Sequence, residues 1–350
     1  MSSNLPVNSR TFPLKNFICF VFVVVTTVSP IVMAEQVNLY SARKEALIKP
    51  LLDKFTQETG ISVNLVTGNA DNLITRLKSE GKYSPADLLL TTDVGRLYRA
   101  KQQDLTQEIA TSEAISLLPN NLRDEQGHWL GLSLRARPLM VSVDRVDFKT
   151  LTNLEDLVSS EWKGRVCIRS SSNIYNQSMV AALIAQLGES DAQEWVNGLV
   201  NNFARSPQGG DRDQIKAVAA GMCDVAIANT YYLAGMLSSE DTTTQEQAKK
   251  IKVIWPNQAD RGVHINISGV ALTKNAPNKD AAIKLIDFLL SKESQLWYAT
   301  ANHEYPVLAD IAWSELLQSF GRFKTEDVPL SRLGELNAEA VQMMDRAGWK

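Results

Sequence analysis

From residue 36 onward the chain alternates short strand-like runs with amphipathic helix-like runs, and this alternation restricts it to an α/β architecture. Residues 36–40 alternate in polarity and read as a strand. Residues 44–58 place Leu47, Ile48, Leu51, Leu52 and Phe55 on one apolar stripe, with Pro50 demanding a late start or a kink. Gly60 fits the helix stop, and 61–66 fits the next strand. A helix over 71–79, a buried strand over 87–90 and a helix over 94–102 continue the pattern. It returns as a strand over 165–169, a helix over 178–187, a strand over 224–228 and an amphipathic helix over 278–290. Residues 338–347 are the clearest helix of the tail, and no repeat of fixed period interrupts the series.

Residues 1–34 read as a cleaved secretory signal. Arg10 and Lys15 supply the positive start, 17–28 the apolar run, and Val32-Met33-Ala34 the small-residue cleavage pattern. The apolar run is short for a span of about 20 residues, so cleavage after Ala34 is expected and the protein is placed in the periplasm. Of 350 residues, 316 remain, enough for two domains of ordinary size. Losing Arg10 and Lys15 from 36 cations, against 39 acids, leaves a net charge of −5. A mildly acidic exported chain is a poor partner for nucleic acid. Cys167 and Cys223 remain after cleavage; export permits a disulfide, with two buried free thiols as the alternative, and the sequence leaves both open.

Three tyrosines carry the chemistry. Tyr175 lies in Ser170-Ser171-Ser172-Asn173-Ile174-Tyr175-Asn176-Gln177, and Tyr231 and Tyr232 end Ala228-Asn229-Thr230-Tyr231-Tyr232. Each segment follows a strand-like run and precedes a helix-like run, which is where open α/β sheets bind ligands. A phenol normally keeps its proton to a pKa of about 10. A hard, highly charged cation stabilises the phenolate instead, so a phenol cluster suits Fe³⁺ better than Zn²⁺ or Cu⁺. The competing reading is packing, in which the rings fill a core edge.

Other signatures are scarce. His128, His264 and His303 form no zinc pattern, and there is no nucleophile elbow, Walker loop or Gly-x-Gly-x-x-Gly. A binder is therefore expected over an enzyme. The serines before Tyr175 crowd a helix entry, where free N–H groups hold anions or a side chain caps the helix. Arg43 follows the first strand, Arg135 and Arg137 precede an apparent crossover strand, and Asp93 stands at a strand end as a site residue or an N-cap.

The mature chain resembles the ferric-iron-binding proteins of periplasmic ABC transport systems. The stretches that carry the resemblance include Tyr40-Ser41-Ala42-Arg43, Ser84-Pro85-Ala86-Asp87, Trp162-Lys163-Gly164-Arg165, Asn202-Phe203-Ala204-Arg205, Trp255-Pro256-Asn257-Gln258 and Glu304-Tyr305-Pro306-Val307, besides the two tyrosine segments. The resemblance implies a two-lobed type II binding-protein fold. One lobe would comprise 35–137 and 262–312, the other 138–261 and 313–350, with crossing hinge strands near 139–143 and 269–273. It also implies Tyr175, Tyr231 and Tyr232 as ligands to Fe³⁺, an inner-membrane ABC permease as partner, and a monomeric receptor.

Some relatives add a His-Tyr pair after the Arg of the first stretch; Lys44 and Glu45 stand there in this chain. Relatives without the pair complete the iron shell with an anion, typically carbonate, and Arg43, Arg135 and Ser172 match the positions expected to hold it. Asp93 or Glu45 is the alternative first-lobe ligand. By the same pattern Cys167 and Cys223 begin strands of the second lobe's sheet, close enough for a bridge if the strands are neighbours. The same fold also serves binders of polyamines, thiamine or phosphate esters, and fold alone does not decide between them.

Overall fold

The computed structural model describes residues 1–6, 8 and 35–350. The expected signal segment, apart from residues 1–6 and 8, lies outside the described residues, its apolar run and cleavage point included. Residues 35–350 belong to one compact unit.

Among the described residues, ten strands form two sheets. The first sheet contains β1 (Gln36–Ser41), β2 (Ser62–Thr67), β3 (Leu88–Thr92), β4 (Thr106–Gln107), β5 (Leu130–Ala136) and β10 (Ile265–Thr273). Its order is β2-β1-β3-β10-β4, with β5 pairing the other end of β10. The β2-β1-β3 part is parallel, and β10 runs antiparallel to β3. The second sheet orders β7 (Val166–Cys167), β8 (Val225–Ile227), β6 (Leu139–Ser142) and β9 (Ile251–Ile254) as β7-β8-β6-β9. Helices lie over both sheets, and each sheet has its own apolar core.

Local chemistry explains the elements. The stripe over 44–58 becomes a 3₁₀ turn (Glu45–Leu47) and a helix (Lys49–Thr59), with Pro50 in the first turn, where a missing N–H costs nothing. Gly60 closes that helix at φ 75°, a left-handed conformation suited to glycine. In β10, Gly269 sits at a register shift against β5; a Cβ there would lie 2.6 Å from the Leu130 carbonyl oxygen.

The chain passes between the sheets twice. It leaves β5 at Ala136 and enters β6 at Leu139 through Arg137 and Pro138, and it returns between β9 and β10. The two passages touch where the Arg137 amide donates to the His264 carbonyl at 3.0 Å. The crossing therefore differs from the expected strands: β6 lies wholly within the second sheet, and 269–273 lies within the first, against β3. Nine buried residues make β10 long enough to pair with β5, β3 and β4 in turn, which moves the crossing to its upstream end.

The tail divides between the cores. Leu317, Leu330 and Leu333 join the first, whereas Ala340, Met343, Met344 and Trp349 join the second.

Candidate metal-binding cleft

The parallel pairing of β7 with β8 brings two strand-to-helix connections side by side. A disulfide between Cys167 and Cys223, with Cα atoms 5.9 Å apart, ties β7 to the turn that enters β8. β7 is shorter than the sequence suggested, and the helix after it, Ile174–Leu187, begins four residues early. Tyr175 therefore stands in the first turn of a helix, not in the loop before it. Tyr231 and Tyr232 stand likewise in the first turn of the helix Thr230–Leu237. The positive ends of both helices favour negative charge on these phenols.

The two connections are keyed to one buried guanidinium. Arg137 donates to Asn176 Oδ1 at 2.6 Å, and to Asn229 Oδ1 and Asp211 Oδ2 at 3.2 Å each. Asn176 follows Tyr175, and Asn229 precedes the helix that carries Tyr231 and Tyr232. Asn176 in turn donates to the carbonyls of Arg169 at 2.9 Å and Ser170 at 3.1 Å. The Asn229 amide donates to Asp211 at 3.2 Å.

On this floor Tyr231 Oη donates to Tyr175 Oη at 3.4 Å, and the Tyr231 and Tyr232 rings lie 4.2 Å apart between centroids. Burial, and then the nearby Tyr175 oxygen, push the Tyr231 and Tyr232 phenols above the ordinary tyrosine value. Arg135 lies over the Tyr231 ring at 5.1 Å and Arg212 over the Tyr232 ring at 5.4 Å. Positive charge thus surrounds oxygens that hold their protons until something stronger displaces them.

The facing wall comes from the first sheet. Arg43 and Arg135 both pair with Glu304, at 2.8 and 2.9 Å. Arg135 also reaches across to Tyr175 Oη at 3.4 Å. Ser133 donates to the same carboxylate and Ser268 accepts from Arg135. Burial alone would raise the Glu304 carboxyl, but Arg43 and Arg135 outweigh it and hold the group at about 2. Between floor and wall lies a cleft of about 420 Å³, lined by Arg43, Lys44, Arg135, Tyr175, Arg212, Tyr231, Tyr232, Asn302, His303 and Glu304, among others. Burial lowers the His303 imidazole below the ordinary histidine value.

The remaining expected residues lie elsewhere. Ser172 is exposed and contacts Ser170 Oγ at 3.0 Å. Glu45 is exposed at the start of the 3₁₀ turn and does not line the cleft. Asp93 is fully buried at φ 77° and caps the helix Val94–Gln102. Its carboxylate accepts from Gly95 N at 2.9 Å, Ser178 Oγ at 2.7 Å and Asn266 Nδ2 at 2.8 Å, and burial raises it above the ordinary aspartate value. Glu304, Arg137, Arg212 and His303 are the residues that sequence reasoning gave no role. Glu304 had a usable signal in the stretch that carried the resemblance, and Arg137 had one in its place before the crossover strand.

Comparisons with known proteins show what the chain as a whole is similar to. Residues 51–325 match the family described as bacterial extracellular solute-binding protein. The iron uptake protein A1 of Synechocystis sp. is 46% identical over 316 residues, covering 90% of this chain and 88% of that protein. A solved structure of Trichodesmium IdiA (FutA), in complex with iron and citrate ligands, is similar at a TM-score of 0.88 and 47% identity, covering 90% of this chain and 100% of that one. The ferric binding protein from Campylobacter jejuni is similar at 0.85 and 37%, over 90% and 100%.

Proposed function

The chain belongs to the bacterial extracellular solute-binding protein family, and from that premise we propose that it captures ferric iron in the periplasm and delivers it to an inner-membrane ABC permease. The observation that carries the reading is the gathering of Tyr175, Tyr231 and Tyr232 on adjacent helix starts, with Tyr175 and Tyr231 oxygens 3.4 Å apart. Three phenolates balance the +3 charge of the ion and supply hard oxygen donors. Binding releases their protons, so uptake strengthens as pH rises. Iron-bearing relatives of the same family support the choice of metal.

The two sheets mark lobes that move about the Arg137–His264 contact, a hinge closure that traps the ion. We assign 35–137 and 262–312 to one lobe and 138–261 to the other, with 313–350 contributing to both cores. The signal segment 1–34 directs export and is removed. The protein acts as a receptor, not a catalyst.

An anion fills part of the shell that the phenolates leave open. Arg43 and Arg135 are committed to Glu304, whereas Lys44 and Arg212 line the cleft without an ion pair among the described residues. These two, more than Arg43 or Ser172, are placed to hold carbonate or a small carboxylate. Asp93 and Glu45 are not needed as ligands in this reading.

The test is the visible absorption spectrum of purified protein titrated with ferric citrate. A phenolate-to-iron charge-transfer band, absent from ferric citrate alone, is expected. A saturated titration without that band would overturn the assignment.

A further inference from the structure

Three phenolates leave a ferric ion short of a six-coordinate shell, and all three come from one side of the cleft. The opposite wall presents Arg43 and Arg135, permanently cationic and bonded to Glu304. Asn302 donates its amide to the Leu47 carbonyl at 3.2 Å. Two side chains of that wall keep an uncommitted lone pair, Asn302 at Oδ1 and His303 at its imidazole, and the imidazole is the more basic donor.

His303 lines the same cleft as the tyrosines. Its ring makes no hydrogen bond among the described residues, and its Nδ1 is buried without a partner. Its backbone has φ 54°, a left-handed conformation that few non-glycine residues adopt. The conformation is held from both sides. Asn302 is anchored on Leu47, and Glu304 is anchored by two arginines and by its amide, which donates to the Tyr298 carbonyl at 3.0 Å. A residue fixed by its neighbours in an uncommon conformation, on the lining of the cleft, with Nδ1 buried and no partner on Nε2, is arranged to offer Nε2 to a ligand. We propose that His303 is the first-lobe ligand to the bound ferric ion, donating through its imidazole opposite the three phenolates. The proposal rests on the ferric reading given above. It places a nitrogen donor in the shell and makes ligation span both walls of the cleft.

The experiment uses the mature protein loaded with ferric citrate, which contains no nitrogen. Pulsed electron paramagnetic resonance on protein carrying ¹⁵N-labelled histidine detects a histidine nitrogen bound to Fe³⁺. His128 and His264 are held by Thr106 and Glu326, so they do not compete. Strong histidine couplings are expected in the wild type and are lost in His303→Gly. Glycine accepts φ 54° readily, so the variant keeps the fold. The phenolate band persists in the variant with an affinity at least about 10-fold lower, the loss that even outer-shell partners of a metal cause. A phenolate band without histidine couplings, or unchanged affinity in His303→Gly, overturns the proposal and leaves the ferric reading standing. Absence of the phenolate band in the wild type overturns both.

Discussion

Arg137 Nη2 donates to Asn176 Oδ1 at 2.6 Å, and this single contact couples the crossing between the sheets to the helix start that carries Tyr175. The same guanidinium reaches Asn229 and Asp211, so it holds both tyrosine-bearing connections in register. Replacing Arg137 with alanine leaves the Asp211 carboxylate buried without its main partner. Breaking a buried pair in this way costs about 3–5 kcal/mol. Arg137→Ala is expected to unfold at lower denaturant and to bind ferric ion more weakly, although it removes no metal donor. Arg137→Lys keeps the charge but not the fork, and is expected to restore stability better than affinity. Urea unfolding and citrate competition on the same samples separate the two effects.

Asp93 separates a structural role from a ligand role. Its carboxylate has three donors, one of them Ser178 on the tyrosine-bearing helix. Gly95 makes room for that approach, since a Cβ there would lie 3.2 Å from Asp93 Oδ1, tighter than an ordinary contact. Ser178→Ala removes a donor from a buried carboxylate, a loss of about 1–3 kcal/mol. Asp93→Asn and Ser178→Ala are expected to lower the melting temperature while leaving the position of the ferric charge-transfer band unchanged. A shifted band in Asp93→Asn alone would mark the carboxylate as a ligand.

Much of this was legible in the sequence because it is local. The stripe of Leu51, Leu52 and Phe55 and the stop at Gly60 are set by neighbours within a few residues, and the helix forms there. The three tyrosines stand near strand ends, which periodicity locates. The pairing of Glu304 with Arg43 and Arg135 spans 261 and 169 residues and follows from no local pattern. The upstream position of the crossing depends on how many partners β10 finds, which its own nine residues do not reveal. Ser172 and Glu45 have the right neighbours in sequence, but they face solvent. His303 was invisible as a lone histidine. Its interest lies in a backbone angle and an empty nitrogen, and neither is written in composition.

The Glu304 carboxylate gives the apo protein a defined acid limb. Its folded value of about 2 lies below the ordinary 4.5, so the unfolded chain takes up this proton first as pH falls. The stabilisation is fully present above about 4.5 and is lost as pH falls toward about 2; complete titration removes about 3 kcal/mol. Glu304→Gln leaves two arginines buried without a counter-charge. It is expected to be less stable than wild type at pH 7, with a flatter stability profile between pH 4.5 and 2. Denaturant midpoints measured across that range check both the offset and the slope.

The Cys167–Cys223 bridge spans 56 residues and ties β7 to the turn that enters β8, beneath the tyrosines. Closing a loop of this length stabilises by about 2–4 kcal/mol. Thiol titration of the unfolded, unreduced protein is expected to find no free thiol at either position. Reduction is expected to lower the unfolding midpoint and to weaken iron binding, because β7 and β8 carry the two helix starts. Two titratable thiols per mature chain would exclude the bridge.

Removing one phenol oxygen at a time tests the floor of the cleft directly. Tyr231→Phe keeps the ring that packs on Tyr232 and lies under Arg135, so packing is retained while the donor atom is lost. The same holds for Tyr232→Phe beneath Arg212. Tyr175→Phe also removes the hydroxyl that Arg135 and Tyr231 approach at 3.4 Å. Each variant is expected to fold with a midpoint near that of the wild type. Each is also expected to lose about 100-fold or more in ferric affinity by citrate competition, the upper end of what outer-shell partners cause. Fewer phenolates donate less charge to the metal, so the visible band should weaken and move in every variant. A variant with wild-type affinity and an unmoved band would identify its tyrosine as packing, and the trio would shrink to the two that remain.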